Sequence, residues 1–380
     1  MNRVYLRSDK GEYLPQETIC GAVYLDIRTP SVARGVQLSF KGTESVCCDC
    51  DIEGNRVSLQ ASNDYVDFCN AELFVQKGPF ALGSYCFPFR LQLPYNSPGT
   101  FHASGSDPGK AWSAHVTYRL KTNILGAETM EAEQDVVVLA ATPEALRDNN
   151  LTQAHELRIP SNSFFGFGRK VHLTLKPLSN FVRSGDCARL RMVVTNSLKS
   201  RSCSFSIKLV RRLTLTLPYK PRPSLDASGD PGEEIPVLQD VQQHAVQVEG
   251  GSVVIREMSG DLSEHARGSL LLASGGGLDN IMIPLKTSDG HSVMPSVCGK
   301  YIQCEYSLEV SLQMDDKIQT ISCPIMGILP EENAQWLSWK PLPWMNRAHV
   351  KLSKPAGPIT PPEQLLGSEA FGRIPRFQDL

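Results

Sequence analysis

From Ile302 to Met314 the chain changes character at every residue. Ile302, Cys304, Tyr306, Leu308, Val310, Leu312 and Met314 are apolar, and Gln303, Glu305, Ser307, Glu309, Ser311 and Gln313 between them are polar. Successive side chains of an extended chain point to opposite faces, whereas a helix buries residues three and four apart. Such a run is therefore a strand with one dry and one wet face. The same period recurs in GVQLSF (35–40), HVTYRLKTNI (115–124), KVHLTLKP (170–177), ARLRMVVTNS (188–197) and SCSFSIKLVRRLTLTL (202–217), where Arg211 interrupts the apolar face. Helical periodicity is confined to ATPEALRDNN (141–150), a short helix or turn with Thr142 as cap and Pro143 at the first helical position. Short strands separated by Gly, Pro, Asn and Asp turns predict an all-β chain of antiparallel sandwiches.

The chain has 380 residues, which suits two domains of about 100–200 residues each. A faint repeat agrees. YLPQE (13–17) precedes the strand ICGAVYLDI, a turn and GVQLSF; VRSGD (182–186) precedes CARLRMVV, the turn TNSLKSRS and CSFSIKL. Each unit is a turn ending in an acid, a strand, a second turn and a further strand. The expected organisation is a first sandwich over 1–145, a linker over 146–168 ending in SNSFFGFG, a second sandwich over 169–328 and a tail over 329–380. The segment 218–240 reads as a long loop inside the second domain. Three of the four tryptophans, Trp336, Trp339 and Trp344, stand at the start of the tail, which predicts that this part docks on a domain.

In FPFRLQLPYNSPGTFH (87–102) a strand with alternating Phe87, Phe89, Leu91 and Leu93 stops at Pro94, which lacks a ladder donor. Pro98-Gly99 suits a type II turn with glycine at positive φ, and Phe101 then anchors the returning chain. A strand-to-strand crossing explains the stretch without catalytic parts.

Several chemistries lack their residues. The first twenty residues hold no continuous apolar segment of a secretory signal, and no run reaches the ~18 apolar residues of a membrane span. The expectation is a cytosolic protein whose 11 cysteines stay reduced. VCCDC (46–50) places Cys47 and Cys50 at C-x-x-C spacing, but a tetrahedral zinc set would have to recruit Cys69 and His102, so these read as reduced loop cysteines. SGGGLDN (274–280) lacks the Gly-Lys-Ser/Thr ending of a phosphate loop and reads as a hairpin loop. None of the eight histidines lies in a recognisable catalytic signature. The sequence predicts no enzyme, no cofactor and no metal. The net charge of −2 gives no global case for nucleic acid.

Charge is nevertheless unevenly placed. From Leu157 to Leu225 there are fourteen Lys or Arg and one acid, Asp186, while the remaining 24 basic residues face 39 acids. In ARLRMVV the inward positions fall on Leu190, Met192 and Val194, which turns Arg189 and Arg191 outward. In SFSIKLVRR the inward positions fall on Phe205, Ile207 and Leu209, which turns Lys208 and Arg212 outward. If these consecutive strands form a hairpin through TNSLKSRS, Lys199 and Arg201 complete a wet surface of six cations suited to anionic lipid headgroups or a phosphorylated tail. The alternative is a solvated face neutralised by the acidic first domain.

The chain resembles the arrestin-fold family, most of all its arrestin-domain-containing (alpha-arrestin) branch. The resemblance rests on the strand ending in Leu93-Pro94, then Pro98-Gly99-Thr100-Phe101, then Tyr118-Arg119-Leu120. GEYLPQETICGAVYL resembles the family's first turn, with Gln16 where the family usually has Gly. VVTNSLKSRS resembles a turn of the second domain, and IPLKTSDGHSVMPSVCGKYIQCEYSLEVSLQ its last hairpin. The likeness covers 1–328 and implies two immunoglobulin-like sandwiches in the arrestin fold. It implies a non-enzymatic trafficking adaptor, cytoplasmic and peripheral on plasma membrane or endosomes, that binds membrane-protein cytoplasmic tails and links them to endocytic or ubiquitin machinery. A subunit of a stable, retromer-like endosomal coat is the alternative. Arg3, Arg7 and Lys10 resemble the family's phosphate-contacting position, and Asp289 lies in the loop that carries one acid of the visual and beta-arrestin polar core. Alpha-arrestins recruit ubiquitin ligases through Pro-Pro-x-Tyr. The nearest match, Pro361-Pro362-Glu363-Gln364, lacks the tyrosine, so a ligase is expected only indirectly.

Overall fold

A computed structural model describes residues 1–52, 55–107, 110–126, 130–141, 155–160, 170–179, 181–196, 203–219, 244–247, 252–261, 276–287, 289–314, 317–324 and 327–352. The candidate helix from residue 142 onward, FFGFG, most of the acidic loop, Lys199, Arg201 and the Pro-Pro segment lie outside them.

The first sandwich contains β1 (Arg3–Ser8), β2 (Glu12–Tyr13), β3 (Thr18–Ile27), β4 (Gly35–Ile52), β5 (Asn55–Val75), β6 (Gly83–Gln92), β7 (Phe101–Asp107), β8 (Lys110–Leu125) and β9 (Glu131–Val138). The second contains β10 (His155–Pro160), β11 (Lys170–Pro177), β12 (Val182–Arg183), β13 (Cys187–Asn196), β14 (Cys203–Tyr219), β15 (His244–Gln247), β16 (Ser252–Asp261), β17 (Gly276–Pro284), β18 (Val297–Cys298), β19 (Ile302–Met314), β20 (Lys317–Pro324) and β21 (Ile328–Leu329). A helix of five residues, α1 (Ala334–Ser338), a 3-10 turn (Met345–Arg347) and β22 (His349–Val350) follow.

The sheet of β1, β3, β6 and β22 packs on the sheet of β2, β9, β8, β4 and β5, to which β7 adds. In the second sandwich β10, β11, β13 and β17 face a sheet built on β14 and β19. The alternation sets both cores. Val36, Leu38 and Phe40 of β4 and Leu308, Val310 and Leu312 of β19 are fully buried, and each belongs to one connected apolar cluster. Burying each such side chain contributes about 1.5–3 kcal/mol.

Three expectations change. Gly276 to Asp279, read as a loop, belong to β17 and pair with β13. Likewise β10 forms inside the stretch read as linker and pairs with β11. At the crossing after β6, the turn forms three residues earlier, where Ser97 N donates to Pro94 O at 3.3 Å, and Gly99 lacks a positive φ. The glycine answers a close approach instead, since a Cβ there would stand 2.6 Å from that of Ala140. Phe101 is fully buried, as its anchoring role requires.

Candidate functional site

The hairpin expected to gather Arg189, Arg191, Lys208 and Arg212 on one surface does not form. β13 pairs with β11 and β17, while β14 pairs with β15, β16 and β19, so the two strands lie in different sheets of one sandwich. Their inward residues meet in the common core, which sends their wet faces in opposite directions. Period-two patterning assigns faces to a strand but does not choose its neighbours. Arg189 and Arg191 are exposed on the β13 face, where Arg191 stands between Lys176 of β11 and Asp279 of β17. Lys208 lies 3.5 Å from Glu257, and its register partner on β19 is Glu309; Arg212 sits opposite Glu305. Acids from neighbouring strands interleave these cations.

The amino-terminal trio also separates. Arg3 is exposed. Lys10 is ion-paired to Glu17. Arg7 is buried by the tail: its guanidinium carbon lies 4.2 Å from the Trp336 ring centroid and 4.5 Å from that of Trp339, and its Nη2 donates to Trp336 O at 2.8 Å. Burial lowers the Arg7 pKa to about 10, which still leaves the cation charged at neutral pH. Residues 333–350 form a strap over the outer face of the first sheet. Asn333 caps α1 through Trp336 N, Trp336 Nε1 donates to Ser8 O at 3.1 Å, Trp344 packs on Tyr5 and Tyr24, and β22 pairs in parallel with the edge of β6. Both faces of β3 are buried as a result. The sequence carried that signal: Ala22-Val23-Tyr24-Leu25 abandons alternation, as a strand covered on both sides does.

Among the described residues that join the sandwiches, two carboxylates stand out, and neither was anticipated. Glu44 of β4 is fully buried at an inward position. Its carboxylate accepts from Lys300 N at 2.9 Å, Tyr301 N at 2.8 Å, Ile302 N at 2.7 Å and Tyr65 Oη at 2.6 Å. Gly299 lets the loop close, because a Cβ there would sit 2.4 Å from Glu44 Oε1. Arg183 of β12 donates to both oxygens of Glu12 in β2, at 2.7 and 3.0 Å, and to Pro330 O at 3.0 Å. These hydrogen bonds to Glu12 raise the Arg183 pKa.

Among the described residues, Cys47 and Cys69 of the candidate zinc set do not come together. Cys47 pairs with Gln60, whereas Cys69 lies far along the same hairpin, between the Phe40–Phe68 and Leu38–Ala71 pairs. Cys48 faces the core as a small apolar residue.

Together these features describe two β-sandwich lobes held against each other by buried and bidentate carboxylates. Residues 2–144 match the family model of the arrestin (or S-antigen) N-terminal domain. The first sandwich is thus similar to an arrestin N-terminal domain. It is 30% identical over 136 residues to arrestin domain-containing protein A of Dictyostelium discoideum, a match covering 32% of this chain and 23% of that relative. The chain therefore matches less than a quarter of the relative's length. No helix among the described residues is long and apolar enough to cross a membrane.

Proposed function

We propose that the protein is a non-enzymatic adaptor that holds cytoplasmic tails of membrane proteins and connects them to endocytic or ubiquitin machinery from the cytoplasmic side of plasma membrane or endosomes. The observation that carries this reading is the Glu44 clamp, which fixes an arrestin N-terminal domain against a second sandwich through backbone donors. A scaffold of that kind offers extended sheet edges and a constant separation between two surfaces, which suits holding a tail better than turnover. Proximity labelling with the full chain tests it. The expected result is enrichment of integral membrane proteins and trafficking components. Recovery of one fixed set of subunits co-eluting at constant stoichiometry would replace the adaptor by a coat subunit.

We propose also a surface for anionic lipid, one that uses fewer cations than the charge run implied. We place it on the β11–β13 face, where Lys176, Arg189 and Arg191 stand beside exposed Leu178 and Met282. Cations beside exposed apolar side chains suit anionic headgroups, at about 1 kcal/mol per cation near the membrane. Sedimentation with anionic vesicles should be weakened by R189Q/R191Q and little changed by K208Q/R212Q. The reverse order, or salt-independent binding, would remove this surface from the proposal.

A further inference from the structure

Arg211 is the residue that breaks the apolar face of β14, and the fold leaves it in that position. Its neighbours of the same parity, Leu209 and Leu213, are buried. Arg211 is half-buried; its Nη1 donates to Met294 Sδ at 3.3 Å, and its Nε is sealed from solvent without an acceptor. Among the described residues no carboxylate pairs with it. A thioether is a weak acceptor, and a guanidinium withdrawn from water is costly unless it meets negative charge.

Arg211 lines a cleft of about 710 Å³ between the two sandwiches. The opposite wall carries His102 of β7 and His115 of β8, register partners whose rings stack with centroids 5.9 Å apart. The loop between β17 and β18 contributes Asp289, His291 and Ser292. Asp289 is engaged within that loop: it accepts from Thr287 Oγ1 and lies 3.7 Å from His291 Nε2.

We propose that this cleft binds a small oxyanion of the phosphate or sulfate class between Arg211 and the imidazoles of His102 and His115, and that binding takes up a proton. Donors on two facing walls call for an acceptor whose oxygens point in more than two directions. A tetrahedral oxyanion provides them in three dimensions, whereas the lone pairs of a carboxylate all lie in one plane. The groups around His102 set the linkage. Burial lowers its pKa, His115 lowers it further, and Asp135 of β9 opposes them. Arg211, His291 and Asp289 face it from the second sandwich. An anion in the cleft reverses that balance and favours the imidazolium, so affinity rises as pH falls.

Calorimetric titration of the full chain with sodium sulfate tests the proposal, because sulfate stays dianionic across the range and any pH dependence belongs to the protein. Binding should be about tenfold tighter at pH 6 than at pH 8, with an enthalpy that varies with the buffer. R211Q should abolish it at both pH values; the double variant H102Q/H115Q should keep weak binding and lose the pH dependence. Sulfate should also shift the His102 and His115 ring signals in nuclear magnetic resonance of the unmodified protein, which tests the contact without any substitution. Absence of those shifts, no saturable binding at pH 6, or unchanged binding in R211Q would overturn the proposal. Vesicles bearing phosphoinositides separate the sources of the anion. Binding competed by sulfate and lost in R211Q assigns a headgroup; sulfate binding without such competition assigns a free anion.

Discussion

Glu12–Tyr13 and Val182–Arg183 are two-residue strands, and each pairs in parallel with the last strand of its own sandwich. The turns that follow are superimposable in their bonding. Glu17 N donates to Leu14 O at 3.0 Å, and Asp186 N donates to Arg183 O at 3.1 Å. The acid's carbonyl then accepts from the facing sheet, from Leu93 N at 3.1 Å in one case and Leu285 N at 2.7 Å in the other. The residue before each acid has positive φ, but one is Gln16 at 67° and the other Gly185 at 87°. The turn is thus imposed by sandwich closure rather than by the glycine that favours it. Gln16 carries a left-handed conformation that costs a non-glycine residue about 1–2 kcal/mol.

The largest effect on this pair of units comes from separating them. Glu44→Ala takes the carboxylate from Tyr301 N and Ile302 N, while Lys300 N keeps Tyr65 Oη, and should cost about 3 kcal/mol or more. Calorimetry should then resolve two transitions; one unshifted transition would show that the seam does not depend on the carboxylate. Gly185→Ala should lose about 1–2 kcal/mol, because φ is positive there and the new Cβ would meet Ser292 Oγ at 3.0 Å. Urea midpoints followed by circular dichroism check this. Glu12→Gln weakens a bidentate pair between the two short strands and should cost about 1 kcal/mol, since both partners are only partly buried. The smallest change has the opposite sign. Gln16→Gly should stabilise by about 0.5 kcal/mol, relief of backbone strain outweighing the freedom that glycine adds to the unfolded chain. A loss instead would mean that the Gln16 side chain compensates its own strain.

The strands and their faces were legible because alternation is a one-strand property. The repeat was legible too: Gln16 stands in the left-handed position where the family has glycine. What failed was adjacency. Arg189 and Lys208 seemed neighbours because their strands are consecutive, yet β13 takes β17 as its partner and β14 takes β19. The clamp escaped for a related reason. Glu44 shares the inward parity of Val36, Leu38, Phe40, Val46 and Cys48, the same signal that Arg211 gives in β14. A charge at an inward position of an alternating strand marks a place where another part of the molecule must come to meet it. Which part comes is decided by tertiary packing: the backbone at 300–302 in one case and an interdomain cleft in the other.

The strap has a consequence for how the molecule is observed. Of its four tryptophans, Trp336, Trp339 and Trp344 sit in the strap, and only Trp112 lies inside a sheet. Intrinsic emission therefore reports chiefly whether the strap is seated, through rings packed against Arg7, Tyr5 and Tyr24. Ellipticity reports the sheets. The protein carries a built-in reporter for one segment, and a fluorescence melt of the intact chain measures the detachment of about twenty residues before it says anything of the other sandwich.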